Sequence, residues 1–382
     1  MDLKKLQSST IDLLRFPLAI MVIFIHTAPE VFNFTQTNFS LFSGRGFYNL
    51  VCIIFSHVLP HIAVPAFYMI SGFLFFLNFQ HWSWDGYTNK IKSRIKTLIV
   101  PYLLWNLIPF ILLIIYMLVG VYKEEESLSS VLHFIQAKFI HVFYDYNMWK
   151  AGVNWFGEKL MLTGPYNLPL WFLRDLIVVT FLSPLIYYAI KKFRIFVLLL
   201  LFIAYLSNVW IQSPGFNILA LFYFSIGAFF ALNHINIVLF ARKSRFVLVP
   251  ASIILLVIST MFYGCQHIIY GNVFQLFILS TVFTSFYVAS LCIEKHVAKP
   301  NKLLVSSCFF IYALHNVTIP GIGTILMQSH NISQALIPSN YWTGRVICYL
   351  VTPFLAATAC IIVLVIARKI CPKITLYFTS NK

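Results

Sequence analysis

Long apolar runs separated by short polar connections recur along the whole chain, at roughly 11–31, 50–79, 98–121, 168–190, 195–211, 215–238, 246–264, 271–293, 303–327 and 343–367. A helix crosses the hydrocarbon core of a bilayer with about 20 consecutive apolar residues. Each run therefore predicts a span or nearly one. The pattern predicts an all-α polytopic membrane protein with about ten transmembrane helices, residues 1–382 forming a single transmembrane domain. Behind the first run Ala28 and Pro29 lead into Glu30, Val31 and Phe32 with no small-residue cleavage pattern, so it reads as a retained span rather than a signal peptide. The longest polar interruption is 122–165, where "HVFYDYNMWKAGVNWFGEK" is rich in aromatic and amide side chains. Such a segment suits either sugar rings or an interfacial helix with a Trp/Tyr belt.

Composition supports the membrane reading and changes the meaning of the charge. Hydrophobic residues make up 60% of the chain and charged ones 10%, against about 25% charged in soluble domains. The net charge of +16 would fit nucleic acid if it lay on one surface, but it alternates with the runs. Nineteen of the 27 basic residues fall in the connections at Lys4–Lys5, Lys90–Lys96, Lys191–Arg194, Arg242–Arg245, Lys295–Lys302 and Arg368–Lys382, all on one side of a ten-span chain. Six fall on the other. By the positive-inside rule that places both termini in the cytoplasm and leaves no nucleic-acid partner to explain. The 7 Cys include no CxxC pair, so neither a disulfide framework nor a metal site is expected.

Chemistry first shows in "RFPLAIMVIFIH", which puts Arg15 and His26 at the ends of an otherwise apolar stretch. Eleven helical steps turn three times plus about 20° and rise about 16 Å, so the two side chains share a face. Ionisable groups inside a membrane helix face a cavity or a partner. Glu30 lies one turn beyond His26, where a carboxylate would orient the imidazole. The plainer alternative is that Arg15 snorkels to headgroups and His26 is a satisfied interior histidine. Pro17 kinks the helix if it starts before Arg15, and is harmless if it lies in the first turn.

Four further stretches carry candidate residues. Ser71-Gly72 in "AVPAFYMISGFLFFL" lets another helix or a thin ligand approach the backbone. Lys90, Lys92, Arg94 and Lys96 before the third run suit lipid headgroups or the phosphates of a nucleotide-bearing donor. His315 falls near mid-membrane in the ninth run and would line the same cavity as His26, or bond between helices. Arg174 and Asp175 read as a structural interfacial pair at a helix start.

Asp12-x-x-Arg15 leading to His26, then "VPAFYMISGF", "SRIKTLIVPYLLW", "LWFLRDL", "FYFSIGAFF" and "IYALH", occur together in this order. The set resembles the acyltransferase 3 family, bacterial multi-pass membrane enzymes, over about residues 10 to 367. The resemblance implies transfer of an acyl group, commonly acetyl from cytoplasmic acetyl-CoA, to hydroxyls of surface glycans, with Arg15 and His26 as the essential pair and Arg94 on the acyl-CoA face. "LWFLRDL" and the lack of a periplasmic hydrolase-like domain are most similar to stand-alone surface-polysaccharide O-acetyltransferases. Two positions depart from the family: Phe16-Pro17 stands where Gly is common, and Thr97, beside Lys96, stands where a second cytoplasmic Arg is usual.

The expectation is a membrane O-acyltransferase of the bacterial plasma (inner) membrane, moving an acyl group from acetyl-CoA to a cell-surface polysaccharide or its lipid-linked precursor, with no metal. His26, oriented by Glu30, is the expected general base. Arg15 with Lys92, Arg94 and Lys96 is expected to hold the donor, whose extended pantetheine arm would lie between Arg15 and His26. Ser71, Gly72 and His315 are expected to line the substrate site. The rival expectation is a transporter or flippase for a polar or lipid-linked solute, in which Arg15, His26 and His315 relay protons.

Overall fold

The computed structural model describes residues 2–27, 31–32, 34, 40–79, 82–123, 125–144, 147–153, 159–207, 210–211, 213–264, 268–316 and 341–379, with the backbone alone for 147–153, 159–163 and 268–269. Glu30 lies outside the described residues. Every one of the ten apolar runs contains a helix, but not every helix is a straight span. Five are long and apolar enough to cross a membrane: Leu3–His26, Gly44–Phe76, Trp84–Tyr122, Tyr270–Glu294 and Tyr341–Ile370. Two runs expected as single spans are bent pairs, by 59° between Leu168–Phe181 and Ser183–Phe193 and by 100° between Ile218–Leu232 and Ile237–Lys243, which brings the number to as many as seven. Ile195–Ser207 and Arg245–Met261 are shorter apolar helices, and the helix at 302–316 leads into residues outside the description. The chain is a multi-pass helical membrane protein.

Two compact units form, one from Met1–Asn78 and Tyr223–Ala367, the other from Phe79–Phe222 and Arg368–Lys382. In the first unit α1 (Leu3–His26) runs unbroken through Pro17. Of the two alternatives for Pro17, the one in which the helix starts before Arg15 holds: twelve residues before it already form helix, and Pro17 leaves the Leu13 carbonyl without its helical donor. The next span begins as α2 (Gly44–Cys52), capped by Ser43, whose Oγ accepts from Gly46 N at 3.1 Å. It loosens into a π turn at Ile53–Val58 and a 3₁₀ turn at Leu59–Ile62 before α3 (Ala63–Phe76). Pro60 is the cause, since it cannot donate to the Ser56 carbonyl and its ring presses on it.

The α3 helix packs against α10 (Ile218–Leu232) through two glycines. A Cβ on Gly72 would collide with the Phe224 carbonyl oxygen, and one on Gly227 with the Met69 carbonyl and the Phe73 amide. Backbone thus meets backbone, the contact that small residues permit between membrane helices. Gly72→Val forces that crossing apart, and the expected result is loss of the monodisperse species on size-exclusion chromatography in detergent, with Ser71→Ala unaffected. At the 100° corner, His234 has φ 54°, and α11 (Ile237–Lys243) is capped by Asn236, whose Oδ1 accepts from Leu239 N at 3.0 Å. That corner is tied to the start of α1: Asn236 Nδ2 donates to Leu3 O at 3.1 Å, and Ile237 N donates to Gln7 Oε1 at 2.6 Å. The helices α12 (Arg245–Met261), α13 (Ile268–Glu294), α14 (302–316) and α15 (Tyr341–Ile370) complete the unit.

In the second unit α4 (Trp84–Arg94) passes through a π turn at Ile95–Ile99 into α5 (Val100–Tyr122). The basic connection expected before the third run is therefore helical, and Pro101 follows its π turn at the same interval as Pro60 follows the first. The 122–165 connection is neither unstructured nor a single interfacial helix. It carries α6 (Leu128–Lys138) and an antiparallel hairpin of β1 (Asn147–Val153) and β2 (Lys159–Gly164), with Asn147 opposite Gly164 and a register irregularity between Met148 and Lys150. Then follow α7 (Trp171–Phe181), α8 (Ser183–Phe193) and α9 (Ile195–Ser207). Arg174 and Asp175, expected at an interface, are buried, with Arg174 Nε donating to Asp175 Oδ1 at 2.8 Å. The terminal α16 (Pro372–Phe378) is pinned by Trp105 Nε1, which donates to Phe378 O at 3.1 Å.

Candidate active site

The last turn of α1 is held by two neighbours, Ser56 and Tyr349. Ser56, in the π turn that Pro60 creates, donates its hydroxyl to Phe24 O at 2.6 Å. Its only proton being used there, Ser56 Oγ accepts from Tyr349 OH of α15, also at 2.6 Å. Phe24 meets the Tyr349 ring edge-on at 5.9 Å between centroids. These contacts fix the orientation of the turn that ends in His26.

His26 is half-buried, and its ring lies 4.9 Å from that of His315, tilted by 55°. His315 is fully buried on α14, its Nδ1 at 3.1 Å from Ile311 O. A carbonyl only accepts, so Nδ1 carries the proton and Nε2, also buried, keeps the lone pair. Two imidazoles from distant parts of the sequence thus meet at one point.

Arg15 sits eleven residues back on the same helix, paired with Asp12 at 3.3 Å. Both lie within Coulombic reach of Cys308, on the same helix as His315. Between them Ile20 and Ile23 pack with Ile311 in one buried cluster. Both ends of "RFPLAIMVIFIH" consequently face α14. Arg15 opens onto a cleft of about 750 Å³ lined also by Lys4, Gln7, Asp12, Phe73, Phe230 and His234. Among the described residues, fully buried Ile23 and Ile311 lie in the cluster between Arg15 and His26.

The remaining expected residues are distributed as follows. Ser71 is half-buried on α3, and the space beside Gly72 is taken by α10. In the second unit Lys92 and Lys96 line a cleft of about 560 Å³ together with Lys373 and Tyr377 of α16. Arg94 turns the other way, into an apolar crevice with Ile177, Thr180 and Phe181. The two lysines and Arg94 do not share a face. Sequence reasoning missed Ser56, Tyr349, His234 and Lys373. For the first two, Pro60 and the polar group in an apolar run were the available signals; for Lys373, only folding of the terminal helix reveals it.

The family model described as an acyltransferase domain matches residues 9–367. The chain is 26% identical over 246 residues to the succinoglycan biosynthesis protein ExoH of Rhizobium meliloti (strain 1021), a match covering 62% of this chain and 57% of that relative. The chain thus spans little more than half the length of the curated relative it matches. No solved structure matches it.

Proposed function

The chain belongs to the acyltransferase 3 family, and from that membership we propose that it moves an acetyl group from acetyl-CoA to a hydroxyl of a surface polysaccharide or its lipid-linked precursor. The observation that carries the reading is the His26–His315 contact at one end of a helix whose other end offers Arg15 to an open cleft. Likeness to a succinoglycan biosynthesis protein supports a glycan as the acceptor. The basic asymmetry of the connections supports cytoplasmic termini in an inner membrane, with the Leu3 end of α1 inside and the His26 end toward the outer face.

The chemistry follows from the groups present. An imidazole takes the proton of the acceptor hydroxyl as its oxygen attacks the thioester carbonyl. The tetrahedral intermediate expels the CoA thiolate, which recovers the proton from the imidazolium. Atoms and charge balance without an added reagent. Arg15 supplies a planar cation for phosphate or carbonyl oxygens of the donor.

The test is acetyl transfer from labelled acetyl-CoA by the purified chain in nanodiscs, together with mass spectrometry of surface glycans from cells with and without the gene. Loss of one acetyl group per acceptor unit when the gene is deleted is expected; unchanged glycans and no transfer in vitro would refute the reading. Arg15→Lys keeps the charge but not the planar fork, and should raise the KM for acetyl-CoA by about tenfold, which is about 1.4 kcal/mol of binding. A snorkelling arginine would tolerate the change.

A further inference from the structure

We propose that Arg345 is the anion-binding residue of the acceptor site, and that the acceptor carries a negative charge, phosphate or carboxylate, near the hydroxyl that is acylated. The inference rests on the acyl-transfer reading above for the word acceptor, and on separate observations for the anion.

Arg345 lies in the first turn of α15. Its guanidinium carbon is 5.2 Å from the ring centroid of Tyr48, 5.5 Å from Tyr341 and 5.9 Å from Trp342. One NH group donates to Tyr341 OH at 2.6 Å. Nε is buried and has no hydrogen-bond partner. Among the described residues the ion pairs are Arg15–Asp12, Arg174–Asp175 and Arg242–Glu294, so no described carboxylate answers Arg345. The described acids of the first unit are Asp2 and Asp12 near the start of α1, and Glu294 with Arg242.

Three rings therefore surround the guanidinium, and its buried Nε–H remains for an acceptor. Aromatic faces stabilise the cation and fix its plane, but they accept no in-plane hydrogen bond. The group that completes a guanidinium edge is a carboxylate or phosphate oxygen. A neutral hydroxyl would meet the N–H and leave the charge unanswered.

Placement ties this edge to the reacting residues. Tyr48 packs on Tyr349 at 6.3 Å, and Tyr349 bonds Ser56 and touches Phe24, two residues before His26. Arg45, one turn before Tyr48 on α2, stands over the Phe32 ring at 5.0 Å. The rings that carry Arg345 are thus linked, through Tyr349, to the turn of α1 that ends in His26.

The experiment uses the full chain in phosphatidylcholine nanodiscs and three probes: octyl glucoside, octyl glucuronide and polyprenyl-phosphate glucose. Binding is measured by calorimetry and acetyl transfer from acetyl-CoA separately. Wild type should bind one charged probe at least tenfold more tightly than the glucoside, and which one tells a carboxylate on the sugar from a phosphate on the carrier. Arg345→Gln should abolish that preference with acetyl-CoA binding within twofold of wild type; Arg345→Lys should retain part of it. Equal binding of all three probes by wild type, or a defect in Arg345→Gln of the same size for charged and neutral probes, would overturn the anion site. Charge preference without any acetyl transfer refutes the acyl-transfer reading and not the site, whereas transfer without charge preference refutes the site alone.

Discussion

His26→Ala should lower acetyl transfer by about 10²–10⁴-fold, the usual worth of a general base, while the protein reaches the membrane in normal amount. Insertion is expected to be unaffected because alanine replaces an ionisable group in an apolar helix. The local fold should also hold, since the clamp on this turn acts through Phe24, which Ser56 bonds and Tyr349 packs against, not through the imidazole. The loss should therefore appear in kcat, with KM for acetyl-CoA little changed, because the Arg15 cleft lies at the other end of the helix. His26→Gln is the companion variant: it keeps a polar group of similar reach but cannot take a proton, and should be as inactive as alanine. A well-inserted His26→Ala protein that still acetylates surface glycans would remove His26 from the chemistry.

Much of the architecture is legible in the sequence because membrane helices announce themselves by length and hydropathy. All ten apolar runs hold helices, and the same-face argument for Arg15 and His26 needs only the helical repeat, which α1 keeps from Leu3 through Pro17. What hydropathy does not encode is where a run bends. Ser183-Pro184 and the polar Asn233-His234-Ile235-Asn236 mark the two breaks, but hydropathy averaged along a run smooths them over, so two runs looked like straight spans. The π turns are half legible: Pro60 and Pro101 mark them, but their consequence, Ser56 reaching the carbonyl of Phe24, needs the packed neighbour. Contacts between distant segments are invisible to periodicity altogether. His315 is expected either to line the same cavity as His26 or to bond between helices, and only the packing brings the two rings to 4.9 Å. Likewise the basic cluster at 90–96 reads as one patch, while the helix sends Lys92 and Lys96 to one cleft and Arg94 to another.

The second large effect expected concerns that contact between histidines. If His26 and His315 act as one unit, His315→Ala should cost about as much as His26→Ala, and the double variant should be hardly worse than either, because groups that share one proton transfer are not additive. The geometry motivates this expectation: the rings meet at 4.9 Å, and the Ile311 carbonyl holds the His315 proton on Nδ1, which leaves the lone pair on Nε2. A merely structural His315 would behave differently. Its replacement would cost stability through a cavity and a lost hydrogen bond, His315→Phe would restore most of the packing and with it activity, and the two losses would multiply. The measurement is single-turnover acetyl transfer for the four proteins of the cycle, with thermal stability in detergent alongside. Losses of similar size in both single variants, no rescue by His315→Phe and a double variant within about threefold of the singles identify a coupled pair. Multiplying losses, or an active His315→Phe, would leave His26 to work alone and reduce His315 to part of the wall behind it.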